Sequence, residues 1–459
     1  MSLAPGAHVH LIGVGGAGMS ALAQVLLERG HPVSGSDLRG GRATSALEAM
    51  GATIRIGHHA DHLGAADVIV ASTAIPEHNP ELAAARAAGR TLLRRADLLA
   101  ALLEGYRGLL VSGTHGKTTT TAMTTVALQS AGRDPSFAIG GRLHEAGTSA
   151  HHGTGEVFVA EADESDGSFL AFRPDCALVT NIEHDHHDVY ADYPAVETAF
   201  LAFLDRRRPG APAILCADDP GITRLRDRIA GPVMTYGRGD DADVVISDER
   251  SAADGSSFTV HVHGRHIGRV SLRVPGRHNI TNAAGALAAA RWAGADLTLA
   301  RQGLARYEGT RRRFEVLGQA AGVTVVDDYA HHPTEIRATL DAARQHHPEG
   351  RVVAVFQPHR YSRTAALGGA LGAALAGADH ALVTDVYSAG EVPVAGVTGG
   401  IVAEAAAREG AQAHFVAGAE DLLDTILEVV TAGDIVLMLG AGDITEVGPQ
   451  LLRRLGGSG

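Results

Sequence analysis

Short apolar runs alternate with longer amphipathic stretches along the chain. The first run, residues 8–12 (HVHLI), precedes a glycine-rich turn and an apolar-periodic stretch from Met19 to Arg29. Short runs bounded by turn residues are typical of buried strands, and the longer stretches have the period of a helix. Alternating strands and helices predict parallel, doubly wound α/β sheets, which bind ligands at the carboxyl ends of their strands.

The same pattern divides the 459 residues into three α/β domains. We expect a Rossmann-like domain over residues 1–105, a mononucleotide-binding domain over 106–314 and a second Rossmann-like domain over 315–459. Between about 240 and 275 the segments become short, alternating and rich in β-branched residues. This change predicts antiparallel strands added to the central domain.

Composition narrows the possible classes of function. The formal net charge of −13 argues against a general nucleic-acid or anionic-membrane surface. The two cysteines, Cys176 and Cys216, have no CxxC spacing, so we expect neither a disulfide framework nor a cysteine zinc site. No apolar run reaches the roughly 18 residues of a spanning helix. We therefore expect a soluble cytoplasmic protein. The composition does not distinguish a monomer from a homodimer.

A glycine-rich loop, VSGTHGKTTTT (111–121), joins an apolar strand to a predicted helix and contains Lys117, the only lysine among 39 lysine and arginine residues. Inward-facing backbone N–H groups, a helix N-terminus and a compact ammonium suit a polyphosphate. The Thr118 hydroxyl is placed to ligate Mg²⁺. The loop departs from the phosphate-binding pattern GxxxxGK[ST] at one position, where Val111 replaces the first glycine. The alternative to a phosphate-binding loop is a glycine-rich turn with an incidental lysine. The predicted ATP-binding residues of the loop are Gly113, Thr114, His115, Gly116, Lys117, Thr118 and Thr119.

Two polar segments follow neighbouring apolar strands downstream. EADESDGSFL (161–170) places four carboxylates within six residues, and TNIEHDHHDVY (180–190) combines carboxylates with histidines. Carboxyl ends of parallel strands share one sheet edge, which here also carries the lysine loop. Because Mg²⁺ prefers hard oxygen ligands beside a triphosphate, the pattern predicts a magnesium site, against the alternative of solvated loops.

Near the N-terminus, GVGGAG (13–18) satisfies GxGxxG, and Asp37 follows about 20 residues later. The pattern is weak alone, since it suits a dinucleotide or any other pyrophosphate at a helix N-terminus, including that of a UDP-sugar.

Considered together, the motifs resemble the Mur ligase family over nearly the whole chain. The motifs that carry the resemblance, in order, are GxGGxGMS, SGTHGKTTTT, EADESDxSFL, TNIExDH, PGRHN, GTxRRF, VDDYxHHPTE and FQPHRYSRT. The phosphate loop with Val111 is the family's own variant. The resemblance is greatest to members that join L-alanine to UDP-N-acetylmuramate. It implies an ATP- and Mg²⁺-dependent ligation through an acyl phosphate in peptidoglycan precursor synthesis.

The resemblance also implies roles for individual residues. As catalytic residues it implies Lys117, Glu161, His186 and Arg313, and as metal ligands Thr118, Glu161 and His186, with His184 as a competitor of His186. ATP contacts outside the loop would come from Asn279, with His278 as a further candidate, and from Arg313 and Asp328, with Asp327 as the alternative to Asp328. Contacts to the UDP-sugar would come from Gly13, Gly15, Gly16, Gly18, Asp37, Ser72 and Thr73, and His58 is a further candidate for this site. Contacts to the amino acid would come from His359, Arg360 and Arg363.

Three alternatives remain at this stage. The nearest is the related ligase that attaches a recycled tripeptide to the same UDP-sugar. A dinucleotide-dependent oxidoreductase would account for GVGGAG and Asp37, and a regulatory P-loop NTPase would account for the lysine loop. The oxidoreductase gives no purpose to the lysine loop or to the carboxylate segments, and the regulatory NTPase does not explain a third domain that contains FQPHRYSRT (356–364).

Overall fold

The computed structural model describes residues 3–143, 147–252 and 254–457. Its strands form three sheets. The chain divides into two compact units, one formed by Met1–Ile182, Glu197–Val244 and Gly285–Gly303, and the other by Glu183–Val196, Val245–Ala284 and Leu304–Gly459.

The first sheet lies in the first unit and has five parallel strands. The strands are β1 (Val9–Ile12), β2 (Val33–Asp37), β3 (Thr53–Ile56), β4 (Val68–Ala71) and β5 (Thr91–Arg94), in the order β3-β2-β1-β4-β5. Its helices are α1 (Ala17–Glu28), α2 (Arg42–Ala49), α3 (Pro80–Ala87) and α4 (Arg95–Leu103). All four residues of β1 are buried, as its apolar sequence predicts for a central strand.

The second sheet supplies seven further strands to the first unit. They are β6 (Arg107–Ser112), β7 (Ser136–Ala138), β8 (Ala150–His151), β9 (Val157–Glu161), β10 (Cys176–Val179), β11 (Ala213–Cys216) and β12 (Val233–Gly237). Their order is β12-β11-β10-β6-β9-β7-β8, and only the β7–β8 pair among those with a described register is antiparallel. The helices of this part of the chain are α5 (Lys117–Ser130), α6 (Tyr193–Asp205), α7 (Pro220–Leu225), α8 (Arg277–Trp292) and α9 (Leu297–Leu304).

Strand order places the carboxyl ends of β9 and β10 on either side of the lysine loop. β6 lies between β9 and β10 and is parallel to both. Val111 pairs with Glu161 and Ser112 pairs with Val179, so the three strands end at the same level.

The second unit contains the predicted antiparallel strands. These are β13 (Val244–Ala252), β14 (Gly255–Val262) and β15 (Arg265–Leu272). The β14–β15 pair is antiparallel, with a register shift at Val260 and His261. The change to alternating β-branched residues therefore predicted these strands correctly.

The third sheet, also in the second unit, is doubly wound. Its strands are β16 (Glu315–Ala320), β17 (Val323–Asp328), β18 (Val352–Phe356), β19 (His380–Val383), β20 (Gln412–Phe415) and β21 (Ile435–Leu439), in the order β16-β17-β21-β18-β19-β20. The edge strand β16 is antiparallel and the others are parallel. Its helices are α10 (Pro333–His346), α11 (Tyr361–Leu375), α12 (Gly399–Arg408), α13 (Ala419–Val429) and α14 (Val447–Leu455). Two apolar clusters cover its two faces, since Val325 and Val326 pack into different clusters.

The predicted fold class is confirmed by these three α/β sheets and by the added antiparallel strands. The limits 1–105, 106–314 and 315–459 stay predictions. Among the described residues, no helix combines the length and the apolar character needed to cross a bilayer.

Candidate active site

The lysine loop turns sharply between β6 and α5. Gly113 has a φ of +132°, and a Cβ added there would lie 2.1 Å from Thr180 Oγ1. Only glycine fits this backbone and this spacing. Gly116 has a φ of 79° and directly precedes Lys117, the first residue of α5. The loop therefore delivers Lys117, Thr118 and Thr119 to the first turn of a helix, where backbone N–H groups have no helical partner.

Residues at the end of β10 hold this loop in place. Thr180 Oγ1 and Asn181 Nδ2 donate to the carbonyl of His115 at 2.6 and 3.0 Å. The N–H of His115 donates to Asn181 Oδ1 at 2.8 Å. Sequence reasoning did not select Thr180 or Asn181. Their position between an apolar strand and the carboxylates of TNIEHD was the available signal.

The ammonium of Lys117 lies among oxygen atoms. Its Nζ donates to the carbonyls of Gly113 and Thr114 at 2.7 and 3.3 Å, and to both oxygens of Glu164 at 2.9 and 2.8 Å. Burial lowers the pKa of Lys117, but the carboxylates of Glu164 and Asp163 outweigh it and raise that pKa above its usual value. The side chain is a permanent cation at neutral pH.

Glu164 is a site residue that the sequence analysis did not single out. Three carboxylates, Asp163, Glu164 and Asp166, follow β9 within five residues, and the sequence does not say which of them faces the lysine. The Glu164 side chain is 3% exposed, whereas that of Asp163 is 37% exposed and lies 4.0 Å from the ammonium. Only the turn after β9 distinguishes the two residues.

Two of the predicted metal ligands meet in the first unit. Thr118 Oγ1 donates to Glu161 Oε2 at 3.1 Å, and the N–H of Gly140 donates to Glu161 Oε1. A hydroxyl and a carboxylate at the end of a phosphate-binding loop form a donor set that suits Mg²⁺. His186, the third predicted ligand, belongs to the second unit.

The glycine-rich turn of the first sheet lines a cavity of about 520 Å³ together with Asp37, His58 and Ser72. The N–H of Gly15 donates to Asp37 Oδ2 at 2.8 Å, and a Cβ on Gly15 would lie 2.9 Å from that same oxygen. The structure thus brings together the predicted residues Gly13, Gly15, Gly16, Asp37, Ser72 and His58. It leaves Gly18 and Thr73 outside the cavity lining, and Gly18 packs against Arg95.

In the second unit, the predicted amino-acid-binding arginines contact aspartates. Arg363 Nε and Nη2 lie 3.1 and 3.0 Å from Asp185 Oδ1, and Nη2 lies 3.2 Å from Oδ2. Both side chains are almost completely buried. Burial raises the pKa of Asp185, but Arg363 and His186 outweigh it and hold that pKa well below its usual range. Arg360 Nη1 donates to Asp188 at 2.7 Å in a more exposed pair.

Aromatic rings accompany these arginines. His359 stacks on Tyr387 with ring centroids 5.6 Å apart and lies 3.3 Å from Arg363 Nη1. Burial, and then the neighbouring His331, lower the pKa of His359 to about 3. This imidazole is therefore neutral at physiological pH.

The histidines after β10 have different surroundings. His186 has a φ of 54°, and its N–H donates to Asp185 Oδ1 at 2.7 Å. The ring of His184 contacts the carbonyl of Tyr190 at 3.2 Å and packs edge-to-face on His187.

The remaining predicted ATP contacts lie at the start of α8 and around β17. Asn279 Nδ2 donates to the Pro275 carbonyl at 2.6 Å. Arg313 has its guanidinium 5.2 Å from the centre of the Tyr329 ring. Asp328 accepts hydrogen bonds from the N–H groups of Phe314 and Ala330 at 2.7 and 2.8 Å, and burial raises its pKa to about 6. Asp328 thereby fixes the backbone next to Arg313.

Asp327 and His278 were the additional candidates for ATP contacts, beside Asp328 and Asn279. Asp327 Oδ2 accepts from Thr445 Oγ1 at 2.6 Å, and its other oxygen is buried without a hydrogen bond. His278 is buried, and its pKa is lowered to about 4 by burial and then by Arg313.

Three family models match consecutive parts of the chain. They are the Mur ligase family catalytic domain over residues 8–107, the Mur ligase middle domain over 111–290, and the Mur ligase glutamate ligase domain over 312–442.

Named relatives match over almost the full length. The UDP-N-acetylmuramate--L-alanine ligase of Mycolicibacterium smegmatis is 48% identical, with 97% of this chain and 95% of the relative covered. The ligase of the same name from Saccharopolyspora erythraea is 49% identical, with 97% and 92% covered.

Solved structures agree with this likeness. The UDP-N-acetylmuramate-alanine ligase of Thermotoga maritima has a TM-score of 0.82 at 29% identity, covering 97% of this chain and 98% of its own. A murein peptide ligase from Psychrobacter arcticus has a TM-score of 0.74 at 27% identity, with 98% and 99% covered.

Proposed function

The chain belongs to the Mur ligase family, and from that premise we propose that it joins L-alanine to the lactyl carboxylate of UDP-N-acetylmuramate with ATP. The product belongs to peptidoglycan precursor synthesis. The observation that carries the proposal is the 48% identity to ligases of this name over 97% of the chain. The lysine loop, with its single ammonium, supports the use of ATP.

The reaction proceeds in two balanced steps. A carboxylate is a poor electrophile, because oxide is a very poor leaving group. A lactyl carboxylate oxygen therefore attacks the γ-phosphorus, the bond between this phosphorus and the bridging oxygen breaks, and ADP leaves. The amine of L-alanine then attacks the acyl carbon of the resulting acyl phosphate. The tetrahedral intermediate collapses to the amide, phosphate leaves with the carboxylate oxygen, and the amine loses its proton.

Lys117 and its loop act mainly through position and charge. We assign the turn formed by Gly113, Thr114, His115 and Gly116 and the N–H groups of Lys117, Thr118 and Thr119 to the phosphates of ATP, and the Lys117 ammonium to the β- and γ-phosphates. Negative charge moves between these oxygens during transfer, so a fixed cation that is present before the reaction stabilises the transition state. Thr180 and Asn181 keep the loop in its binding conformation.

Thr118 and Glu161 fit Mg²⁺, since their oxygens already converge at 3.1 Å. When bound, Mg²⁺ would neutralise phosphate charge. We assign the third ligand to His186, as the resemblance to the family implies, with His184 as the alternative.

Substrate roles follow the same logic. We assign the cavity of Gly13, Gly15, Gly16, Asp37 and Ser72 to the UDP part of the sugar nucleotide, together with Gly18 and Thr73, as the resemblance to the family implies. His359, Arg360 and Arg363 are assigned to L-alanine, where a guanidinium holds the carboxylate. Asn279, Arg313 and Asp328 are assigned to ATP.

The alternatives have less support. Among the solved structures, the alanine ligase of T. maritima has a TM-score of 0.82, against 0.74 for the murein peptide ligase of P. arcticus. A dinucleotide oxidoreductase or a regulatory NTPase does not account for family matches that span residues 8–442.

A product assay tests the proposal. ADP and phosphate should form only when UDP-N-acetylmuramate, L-alanine and ATP are all present with Mg²⁺, together with one UDP-N-acetylmuramoyl-L-alanine per ADP. Rapid ADP formation with the L-alanyl tripeptide, together with poor turnover of L-alanine, would favour the related peptide ligase. ADP formation that needs neither acceptor would refute the ligase.

A further inference from the structure

Glu81 is a carboxylate buried in the interior of the first sheet's domain. It is the second residue of α3, and its side chain is 0% exposed. A charge without solvent is costly unless it is paired and hydrogen-bonded. The contacts of Glu81 therefore need an explanation.

Both oxygens of Glu81 contact side chains of β1, β2 and the segment that follows β3. Oε2 lies 2.7 Å from His10 Nε2 and accepts from Ser36 Oγ at 2.9 Å. Oε1 lies 3.1 Å from His58 Nδ1 and 3.5 Å from His62 Nδ1. Burial raises the pKa of Glu81, but the hydrogen bonds from His10 and Ser36 outweigh it and lower that pKa. Glu81 is an anion surrounded by imidazoles.

One of these imidazoles reaches a substrate cavity. His58 lines the 520 Å³ cavity beside Asp37 and Ser72, and its side chain is 10% exposed. Its Nδ1 contacts both Ser36 Oγ, at 3.0 Å, and Glu81. The Ser36 hydroxyl donates its proton to Glu81, so it can only accept a hydrogen bond from His58. The donor in that bond is the N–H at Nδ1 of His58. Nε2 is then the only ring nitrogen left for a ligand.

The chemistry of the assigned ligand fixes the charge of this ring. A phosphate oxygen only accepts hydrogen bonds, so Nε2 must also carry a proton when it meets a diphosphate. With both nitrogens protonated, His58 is an imidazolium. A buried carboxylate at 3.1 Å stabilises that cation and holds the plane of its ring.

We propose that Glu81 is a positioning residue of the sugar-nucleotide cavity, which orients His58 as a cationic donor to the diphosphate of the substrate. The inference rests on the proposed function, because the diphosphate is that of UDP-N-acetylmuramate. Glu81 touches no substrate and acts through His58.

The test compares Glu81→Gln with the wild type by steady-state kinetics. Glutamine keeps the size of the side chain and removes its charge. The KM for UDP-N-acetylmuramate should rise about 10-fold or more, as expected for a lost hydrogen bond to a charged group. The kcat and the KM values for ATP and L-alanine should stay within about twofold, because only ground-state binding of one substrate changes. A UDP titration of the protein without other substrates should give a Kd raised by a similar factor.

A matched control and a double variant separate positioning from loss of structure. Glu28→Gln removes a carboxylate that also pairs with a histidine, His151, and it should leave all three KM values unchanged. Combining Glu81→Gln with His58→Ala should raise KM no further than His58→Ala alone. If the two effects multiply, or if folded Glu81→Gln keeps the wild-type KM and Kd, the proposal is overturned.

Two further measurements keep the outcome decisive. If Glu81→Gln does not fold, Ser36→Ala replaces it, with an expected KM rise of about threefold, and an unchanged KM would overturn the proposal. If the wild type shows no ligation with L-alanine, the proposed function fails. The UDP titration still tests the role of Glu81 in that case.

Discussion

Replacing Lys117 with arginine should abolish most of the turnover and leave the fold intact. The change keeps the positive charge and alters only its size and shape. Lys117 is the only lysine among 39 lysine and arginine side chains, so this chain uses arginine wherever a cation of either kind is tolerated. The ammonium is 2.7–3.3 Å from oxygens of Gly113, Thr114 and Glu164.

The geometry of this site indicates the size of the effect. These oxygens come from two consecutive loop carbonyls and one carboxylate, a set that suits a compact donor with three N–H groups. A planar guanidinium is wider and presents its N–H groups in one plane, so it must leave the carbonyls and enter the space of the phosphates. Losing one preorganised donor to a transition-state oxyanion costs roughly 10²–10³ in kcat. We expect a loss of at least this size.

The assay is L-alanine-dependent ADP release at saturating substrates, with thermal unfolding measured on the same samples. Arg94→Lys supplies the control, since it makes the reverse exchange at a side chain that is 67% exposed. It should change neither kcat nor the unfolding midpoint. A folded Lys117→Arg variant with kcat within about threefold of the wild type would refute the argument from charge and size.

Three further changes test neighbouring parts of the site. Glu161→Gln should raise the Mg²⁺ concentration for half-maximal turnover about tenfold, and an unchanged Mg²⁺ titration would exclude Glu161 as a ligand. Arg363→Met leaves Asp185 buried without its main partner and should cost about 3–5 kcal/mol of stability at pH 7. The pKa of Asp185 is lowered by folding, so the pair stabilises the protein above the unfolded value of 3.8 and this stabilisation is lost as pH falls further. The difference in urea midpoint between wild type and variant should accordingly shrink only as the pH falls below about 3.8. An equal difference at about pH 7 and about pH 3 would contradict the assignment. Glu164→Gln removes the main anion beside Lys117, so an amine-acylating reagent should modify Lys117 faster relative to the α-amino group, and ATP should protect Lys117. Peptide mass spectrometry measures the ratio of Lys117 modification to α-amino modification. The same ratio in wild type and variant would reject this contact as the cause of the raised pKa of Lys117.

Local constraints made the lysine loop and the strand ends predictable. The turn at Gly113 depends on residues a few positions apart, and an apolar run ending in Glu161 places that carboxylate at the carboxyl edge of a parallel sheet. The meeting of Thr118 and Glu161 follows from these two facts. The alternation of β-branched and polar residues likewise predicted the antiparallel strands β14 and β15.

Long-range partners were not predictable from the chain. Arg363 meets Asp185 from 178 positions away, and no local pattern links them. Glu81, in NPE at the start of α3, has the sequence features of a solvated acid in the first turn of a helix. Its burial depends on where β1 and β2 place His10 and Ser36 beneath that helix.

Isotope transfer from the lactyl carboxylate tests the central claim most directly. UDP-N-acetylmuramate carrying ¹⁸O in both carboxylate oxygens is incubated with ATP, Mg²⁺ and L-alanine, and the phosphate and amide products are analysed by mass spectrometry. Activation by the γ-phosphoryl group predicts that each phosphate released contains one ¹⁸O and each amide retains the other. Phosphate without ¹⁸O, formed while the amide accumulates, would contradict an acyl phosphate and with it the proposed role of the lysine loop.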